Sequence, residues 1–306
     1  RSARMNNWRL ERLGIEKKII FEEMELGETF EIERVFRKYK FDEVYNLAAQ
    51  SFVGSSFGSP LNTSNITGLG VLRILETIRN INPKIKFYQA SSSEMFGGEN
   101  EVVLNENSEL VPKSPYAASK VFAHQITKIY RESYDLFAVN GILFNHESPQ
   151  RGETFVTRKI TRALGRIYYG LQSKLTLGNL DAYRDWGFAG DYVKGMWMML
   201  NHDQPDDWVL ATGESHSVRE FLEIAFNQLE LSYEDYVISS EEYFRPNEVN
   251  HLLGDYSKAK KNLGWEPETS FKDLIRIMVN HDLILAEREK TLLENNLLSP
   301  TWEHST

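Results

Sequence analysis

The sequence predicts an α/β protein: a doubly wound parallel sheet with a smaller C-terminal domain interleaved with it. Two observations carry this reading. Short apolar strands alternate with amphipathic helices up to residue 144, and that rhythm changes at about Pro149. A third observation sets the organisation: no repeat, low-complexity tract or long Pro/Gly linker divides the chain. The two parts are therefore expected to be residues 1–150 and 151–306, interleaved rather than free-standing.

The elements follow in order. Phe30, Ile32, Val35 and Phe36 have helical spacing within residues 28–40, and a strand over Glu43–Ala48 follows. Ile66–Arg79 reads as a helix with Val71, Leu75 and Ile78 on one face, and Ile85–Ala90 as a second strand. Pro115–Ser133 is a strong helix in which Ala118, Phe122, Ile126 and Ile129 recur on one face. A third strand, Phe137–Phe144, follows directly. Beyond Pro149 come a helix at Val156–Tyr169, extended pieces at 175–179 and 207–212, and helices at Asp191–Leu200 and Val218–Leu229. The last helix begins at Phe271 and is expected to fray into a charged tail.

Composition narrows the function. The 306 residues are 41% hydrophobic and 26% charged, as in an ordinary globular protein. The apolar runs fall short of the roughly 20 residues of a membrane span, and no secretory leader pattern is present. A cytoplasmic protein with no membrane partner is expected. With no Cys, disulfides and thiolate metal sites are excluded, and the seven His stand singly, so no metal site is expected. A net charge of −9 argues against a nucleic-acid surface.

The chemistry centres on Tyr116 and Lys120. Four residues apart in a strong helix, they share a face one turn apart. A Lys ammonium beside a phenol is expected to stabilise the phenolate and lower the Tyr pKa, making Tyr116 an acid/base for a sugar hydroxyl. A lone Tyr-x-x-x-Lys is common and decides nothing by itself. Upstream, however, Ser91-Ser92-Ser93-Glu94-Met95-Phe96-Gly97 ends a predicted strand, where ligands of open parallel sheets bind. The serines are also compatible with a simple strand-ending turn.

The Ser…Tyr-x-x-x-Lys set resembles the extended short-chain dehydrogenases that act on nucleotide sugars. Longer blocks sharpen the resemblance: NLAAQSFV at 46–53, YQASSSEMFG at 88–97, SPYAASK at 114–120, GILFNHESP at 141–149 and RGETFVTRKI at 151–160. LGNLDAYRDW at 177–186, YFRP at 243–246 and LGD at 253–255 join them. Together they resemble the GDP-mannose 4,6-dehydratase family from about residue 8 to residue 285. The resemblance implies a Rossmann-like NADP-binding domain over 1–150 and a GDP-sugar-binding domain over 151–306. It also implies a cytoplasmic homo-oligomer, dimer or tetramer, that takes GDP-mannose as substrate and NADP as cofactor.

Carried onto this sequence, the resemblance makes Tyr116 the catalytic base, Lys120 its partner and Ser92 the hydroxyl donor where the family more often has Thr. Glu94 discriminates, because a dehydratase must take the C5 proton of the sugar and return one to the departing C6 hydroxyl. The implied lyase reaction oxidises C4 with Tyr116 accepting the hydroxyl proton. It then eliminates water across C5–C6 and returns hydride to C6, giving GDP-4-keto-6-deoxy-mannose. Cofactor positions implied are Arg1, Glu25, Leu26, Leu47, Ala48, Ala49, Ser51, Tyr116, Lys120, His146 and Arg151. Glu25 stands where the family usually has Asp. Substrate positions implied are Asn145, Lys159, Asn179, Arg184, Arg245 and Glu248, where Arg and Lys suit a diphosphate.

One departure is large. The family opens with a strand and a glycine-rich turn that binds pyrophosphate, and this sequence, starting at Arg1, has neither. A preceding segment of about thirty to forty residues is therefore expected, and a strand-sized hole at the sheet's centre unless another chain fills it. The competing readings are a GDP-sugar epimerase or reductase, and a non-catalytic binding or subunit protein on a damaged fold.

Overall fold

The computed structural model describes residues 7–98, 102–243 and 247–297. Its central sheet has four parallel strands, β1 (Glu43–Asn46), β2 (Lys86–Ser92), β3 (Ala138–Leu143) and β4 (Asp207–Leu210), side by side in that order. Among the described residues seven helices of ten residues or more accompany it: α1 (Thr29–Lys38), α2 (Gly70–Ile81), α3 (Pro115–Tyr134), α4 (Val156–Tyr168), α5 (Ala189–Leu200), α6 (Val218–Asn227) and α7 (Phe271–Glu294).

The alternation of side chains along β2 shows why helices cover both faces. Phe87 joins a core with Ile32 and Phe36 of α1, Val71, Leu75 and Ile78 of α2, and Ala123 and Tyr130 of α3. Its neighbour Tyr88 points the other way, into a core with Tyr192, Met196 and Met199 of α5, Trp208 and Trp265. Residues 189–210, in the second half of the sequence, thus return to the sheet as a helix and its fourth strand. A separate core joins α4, α6 and α7 through Leu164, Phe221, Phe226, Leu274 and Met278.

The expected hole in the sheet is absent. Each crossover sets the next strand one place further in the same direction, so β1 to β4 pair without interruption, and β1 is an edge strand among the described residues. The face of α3 that carries Ala118, Phe122 and Ile129 turns to solvent, with Ile126 at its edge packed against the core. Phe122 and Ile129 are exposed and Ala118 lies at the surface, whereas Tyr116, Lys120, His124 and Thr127 face inward. The sheet-facing stripe of α3 is polar because it is hydrogen-bonded: Lys120 Nζ donates to the Ala90 carbonyl at 2.7 Å, and the Ser91 hydroxyl pairs with His124 Nδ1 at 3.1 Å. Phe30 of α1 is likewise exposed.

Other boundaries moved little. The first strand stops at Asn46, and the helix expected at Ile66–Arg79 is a π-helical stretch, Ser64–Leu69, running into α2. The final helix stays wound through Glu294, held by buried Met278, Asp282 and Ala286. Among the described residues no helix is long and apolar enough to cross a membrane.

Candidate active site

A cleft of about 1000 Å³ opens at the carboxyl ends of β2 and β3, between the sheet and the α4–α6–α7 unit. Its walls come from the segment after β1, the turn after β2, the start of α3, residues 143–159 and the strands around Leu177 and Arg184.

Local sequence sets the catalytic side chains. Ser114 caps α3, its hydroxyl accepting from the Ala117 amide at 3.1 Å, and Pro115 occupies the first turn. Tyr116 is thereby fixed in that first turn and Lys120 one turn on. The chain leaves β2 through a tight turn, Ser93–Phe96, in which the Ser92 hydroxyl accepts from the Glu94 amide at 3.3 Å. Gly97 ends it at φ 77°, where a Cβ would lie 2.1 Å from the Val111 carbonyl oxygen. Ser92, Glu94, Tyr116 and Lys120 all line the cleft.

The electrostatics correct one expectation. Burial pushes the Tyr116 phenol up to about 12; the Ser92 hydroxyl and the Arg151 guanidinium pull it down and Glu94 pushes it up. Burial also pulls the Lys120 ammonium down to about 8. Lys120 therefore does not lower the Tyr116 pKa below its ordinary value here. Its Nζ lies 5.7 Å from the centre of the Tyr116 ring, and one of its three protons goes to Ala90.

His146 belongs to a short strand, Asn145–Glu147, paired with Trp186–Phe188. Its Nδ1 lies 2.9 Å from the Phe144 carbonyl, so Nδ1 donates, and burial pulls the ring down to about 4. His146 is thus neutral near pH 7, and its Nε2 is an acceptor. On the opposite wall Lys159 Nζ donates to the Thr176 carbonyl at 2.8 Å and sits 4.9 Å from the Tyr243 ring centre. Arg184 pairs with Glu248 at 3.4 Å.

The structure brings most of the expected residues together. Leu47, Ala49, Ser51, His146 and Arg151 line the cleft with the catalytic set, as do Asn145, Lys159, Asn179, Arg184 and Glu248. Ala48 is exposed outside the cleft lining. Glu25 and Leu26 also lie outside the lining: Leu26 packs into the α1–α2–α3 core, and the Glu25 amide donates to the Glu31 carboxylate at 2.7 Å. Arg1 and Arg245 fall outside the described residues. The sequence reading missed Glu147, Phe52 and Phe155 on the walls. Its place inside the motif-like block at 141–149 was the available signal for Glu147. Nothing in the spacing marked Phe52.

The comparisons decide the family. A family model described as GDP-mannose 4,6 dehydratase matches residues 1–278. The chain belongs to the GDP-mannose 4,6-dehydratase family. It is 54% identical over 274 residues to GDP-mannose 4,6 dehydratase 1 of Arabidopsis thaliana, covering 88% of this chain and 76% of that relative. It is 43% identical over 311 residues to the GDP-mannose 4,6 dehydratase of Homo sapiens, covering 93% and 83%. Among solved structures it resembles RMD from Pseudomonas aeruginosa complexed with NADPH, with TM-score 0.79 and 22% identity over 87% of this chain and 89% of the other. A dTDP-glucose 4,6-dehydratase from Bacillus anthracis in complex with NAD gives TM-score 0.79 and 19% identity over 96% and 87%. These two likenesses show the fold. Membership of the GDP-mannose 4,6-dehydratase family does not favour the epimerase or reductase reading.

Proposed function

We propose that this chain dehydrates GDP-mannose to GDP-4-keto-6-deoxy-mannose with NADP as its cofactor. The observation that carries the reading is Glu94 on the same cleft wall as Ser92, Tyr116 and Lys120, in a chain of this family. Tyr116 accepts the proton of the sugar 4-hydroxyl, and Ser92 donates a hydrogen bond to that oxygen. The 4-ketone acidifies C5–H, and Glu94 takes that proton and returns one to the C6 hydroxyl as water departs. A bound nicotinamide would supply the hydride chemistry, acceptance from C4 and return to C6, so the overall reaction is a hydro-lyase one.

The cleft fits such a cofactor at its nicotinamide-ribose end. Lys120 is a buried ammonium with one proton committed to Ala90, leaving donors suited to ribose hydroxyls, and neutral His146 offers an acceptor. Leu47, Ala49, Ser51 and Arg151 would hold the same cofactor. Asn145, Lys159, Asn179, Arg184 and Glu248 would hold the nucleotide sugar, with the two cations near its diphosphate.

We read the two parts, 1–150 and 151–306, as cofactor-binding and GDP-sugar-binding, in a cytoplasmic homo-oligomer. Support for the oligomer is an apolar stripe, Leu61, Leu69, Phe122 and Ile129, exposed on α3 and on the helical stretch at 60–69 packed against it. Side-by-side assays with GDP-mannose, UDP-glucose and dTDP-glucose test the reading: a 4-keto-6-deoxy product from GDP-mannose is expected, and a clear preference for dTDP-glucose overturns it.

A further inference from the structure

Glu147 is a carboxylate that the mechanism above does not use. It is 1% exposed, lines the cleft, and ends the strand that carries Asn145 and His146. A buried acid is costly: burial pushes the Glu147 carboxyl up, and its two partners, Arg151 and Thr157, draw it back. The Thr157 hydroxyl donates to its Oε2 at 2.6 Å, and Arg151 Nε forms an ion pair with the same oxygen at 3.2 Å.

Arg151 is gripped from other directions too. Its guanidinium carbon lies 3.6 Å from the centre of the Phe155 ring, a stacked cation–π contact. Its amide donates to the Ser148 carbonyl at 3.0 Å, and its carbonyl accepts from Arg158 Nη1 at 3.2 Å. A long, flexible side chain is thus held at its root by main-chain hydrogen bonds and at its head by an ion pair and a ring face, on the wall of the cleft that holds Tyr116. Fixing a charge in this way strengthens what it does to a neighbour, since no reorganisation is needed when that neighbour ionises.

We propose that Glu147 is a positioning residue: it holds the Arg151 guanidinium against the cleft wall so that its positive charge supports the Tyr116 phenolate. The polar and charged groups that line the cleft with that phenol include Ser92 and Glu94 from the end of β2, Lys120 from α3, His146 from its short strand, and Arg151. Of the two cations, Lys120 spends a proton on the Ala90 carbonyl, whereas Arg151 lies on the wall of the cleft that Tyr116 lines, its head against Glu147 and the Phe155 ring. The proposal rests on the reading of Tyr116 as the proton acceptor.

The test reads the phenol directly. The protein is labelled with 3-fluorotyrosine, the Tyr116 resonance is assigned with Tyr116→Phe, and its ionisation is followed by fluorine NMR. Arg151→Met is expected to raise the Tyr116 pKa by roughly one unit, as loss of a nearby opposite charge does. Glu147→Gln, which keeps the shape and the acceptor for Thr157, is expected to raise it as well. The double variant is expected to go no further than Arg151→Met alone, because Glu147 acts through Arg151. Thr157→Val is expected to leave the resonance titrating as in the parent.

The sign separates the alternatives. If Glu147 acted through space by its own charge, Glu147→Gln would lower the Tyr116 pKa, and that result, or no shift, overturns the proposal. Additive shifts in the double variant overturn it too. Should Glu147→Gln fail to fold, Arg151→Lys serves instead: it keeps the charge but not the flat head that Glu147 and Phe155 grip, and an unmoved Tyr116 there also overturns it. Full activity in Tyr116→Phe would sink the proton-acceptor reading, while the coupling of Glu147, Arg151 and Tyr116 would still be decided by the titration.

Discussion

The Lys120 ammonium donates to the main-chain carbonyl of Ala90 at 2.7 Å, joining the catalytic helix to the strand that delivers Ser92 and Glu94. The contact orders the site, yet it holds a cation where burial opposes charge.

Lys120→Met is therefore expected to lose activity by about 10²–10⁴-fold while the fold survives. Its stability relative to the parent should depend on pH. Folded Lys120 titrates at about 8 against an ordinary 10.5, so between these values the unfolded chain holds the proton that the folded chain has lost. The parent's stability then rises with pH across that window, by roughly 3 kcal/mol in all, and Lys120→Met lacks that rise. Urea unfolding at pH 7 and pH 10 checks it. Parallel behaviour of the two proteins would show that burial does not depress Lys120.

Glu94→Gln and Tyr116→Phe should fail at different steps. A Gln amide cannot take the C5 proton, so this variant is expected to oxidise C4, accumulate reduced nicotinamide and lose exchange of the C5 hydrogen with deuterated water. Product formation should fall by about 10²–10⁴-fold. Tyr116→Phe is expected to stop before oxidation, with no reduced nicotinamide. Near-parent product formation by Glu94→Gln would remove Glu94 from the mechanism.

Phe122 and Ile129 are 40% and 48% exposed on one face of α3. If that stripe seats a second copy, Phe122→Asp with Ile129→Asp should reduce the sedimenting mass to that of a single chain, because unpaired buried carboxylates at an interface cost far more than rim charges. An unchanged mass would move the interface elsewhere.

The α3 stripe also shows where sequence reading succeeds and where it stops. Helical period alone located α3 to within a residue, and Tyr116 with Lys120, read together with the Ser91–Gly97 run, pointed to residues that line the cleft. The same period does not say which face turns inward. Apolar residues usually mark the core side, but here that side also carries Lys120 and His124, met by the Ala90 carbonyl, the Ser91 hydroxyl and the Asp207 carboxylate, partners distant in sequence. The hole expected in the sheet failed for a related reason: strand order follows from crossover direction, which local patterns do not carry. Glu147 stood in a motif-like block, but its partners Thr157 and Arg151 are known only from their convergence in space.

Arg158 and Asp282 form the most deeply buried ion pair among the described residues, at 1% and 0% side-chain exposure, with Nε 2.8 Å from Oδ2. Asp282 also accepts from the Thr161 hydroxyl at 2.6 Å, and helices α4 and α7 meet so closely that a Cβ on Gly165 would lie 2.7 Å from the Asp282 carbonyl oxygen. Arg158 uses Nη1 to hold the carbonyls of Pro149 and Arg151, so the pair ties the helical unit to the cleft loop. Removing one partner strands the other charge in the core, and Asp282→Ala is expected to cost about 3–5 kcal/mol in urea unfolding. Replacing both, Arg158→Met with Asp282→Leu, should recover most of that stability because no charge is left unpaired. Activity should not recover with it, since the carbonyls of Pro149 and Arg151 lose their donor and the loop that carries Arg151 is released. A double variant as active as the parent would show that the pair serves packing alone.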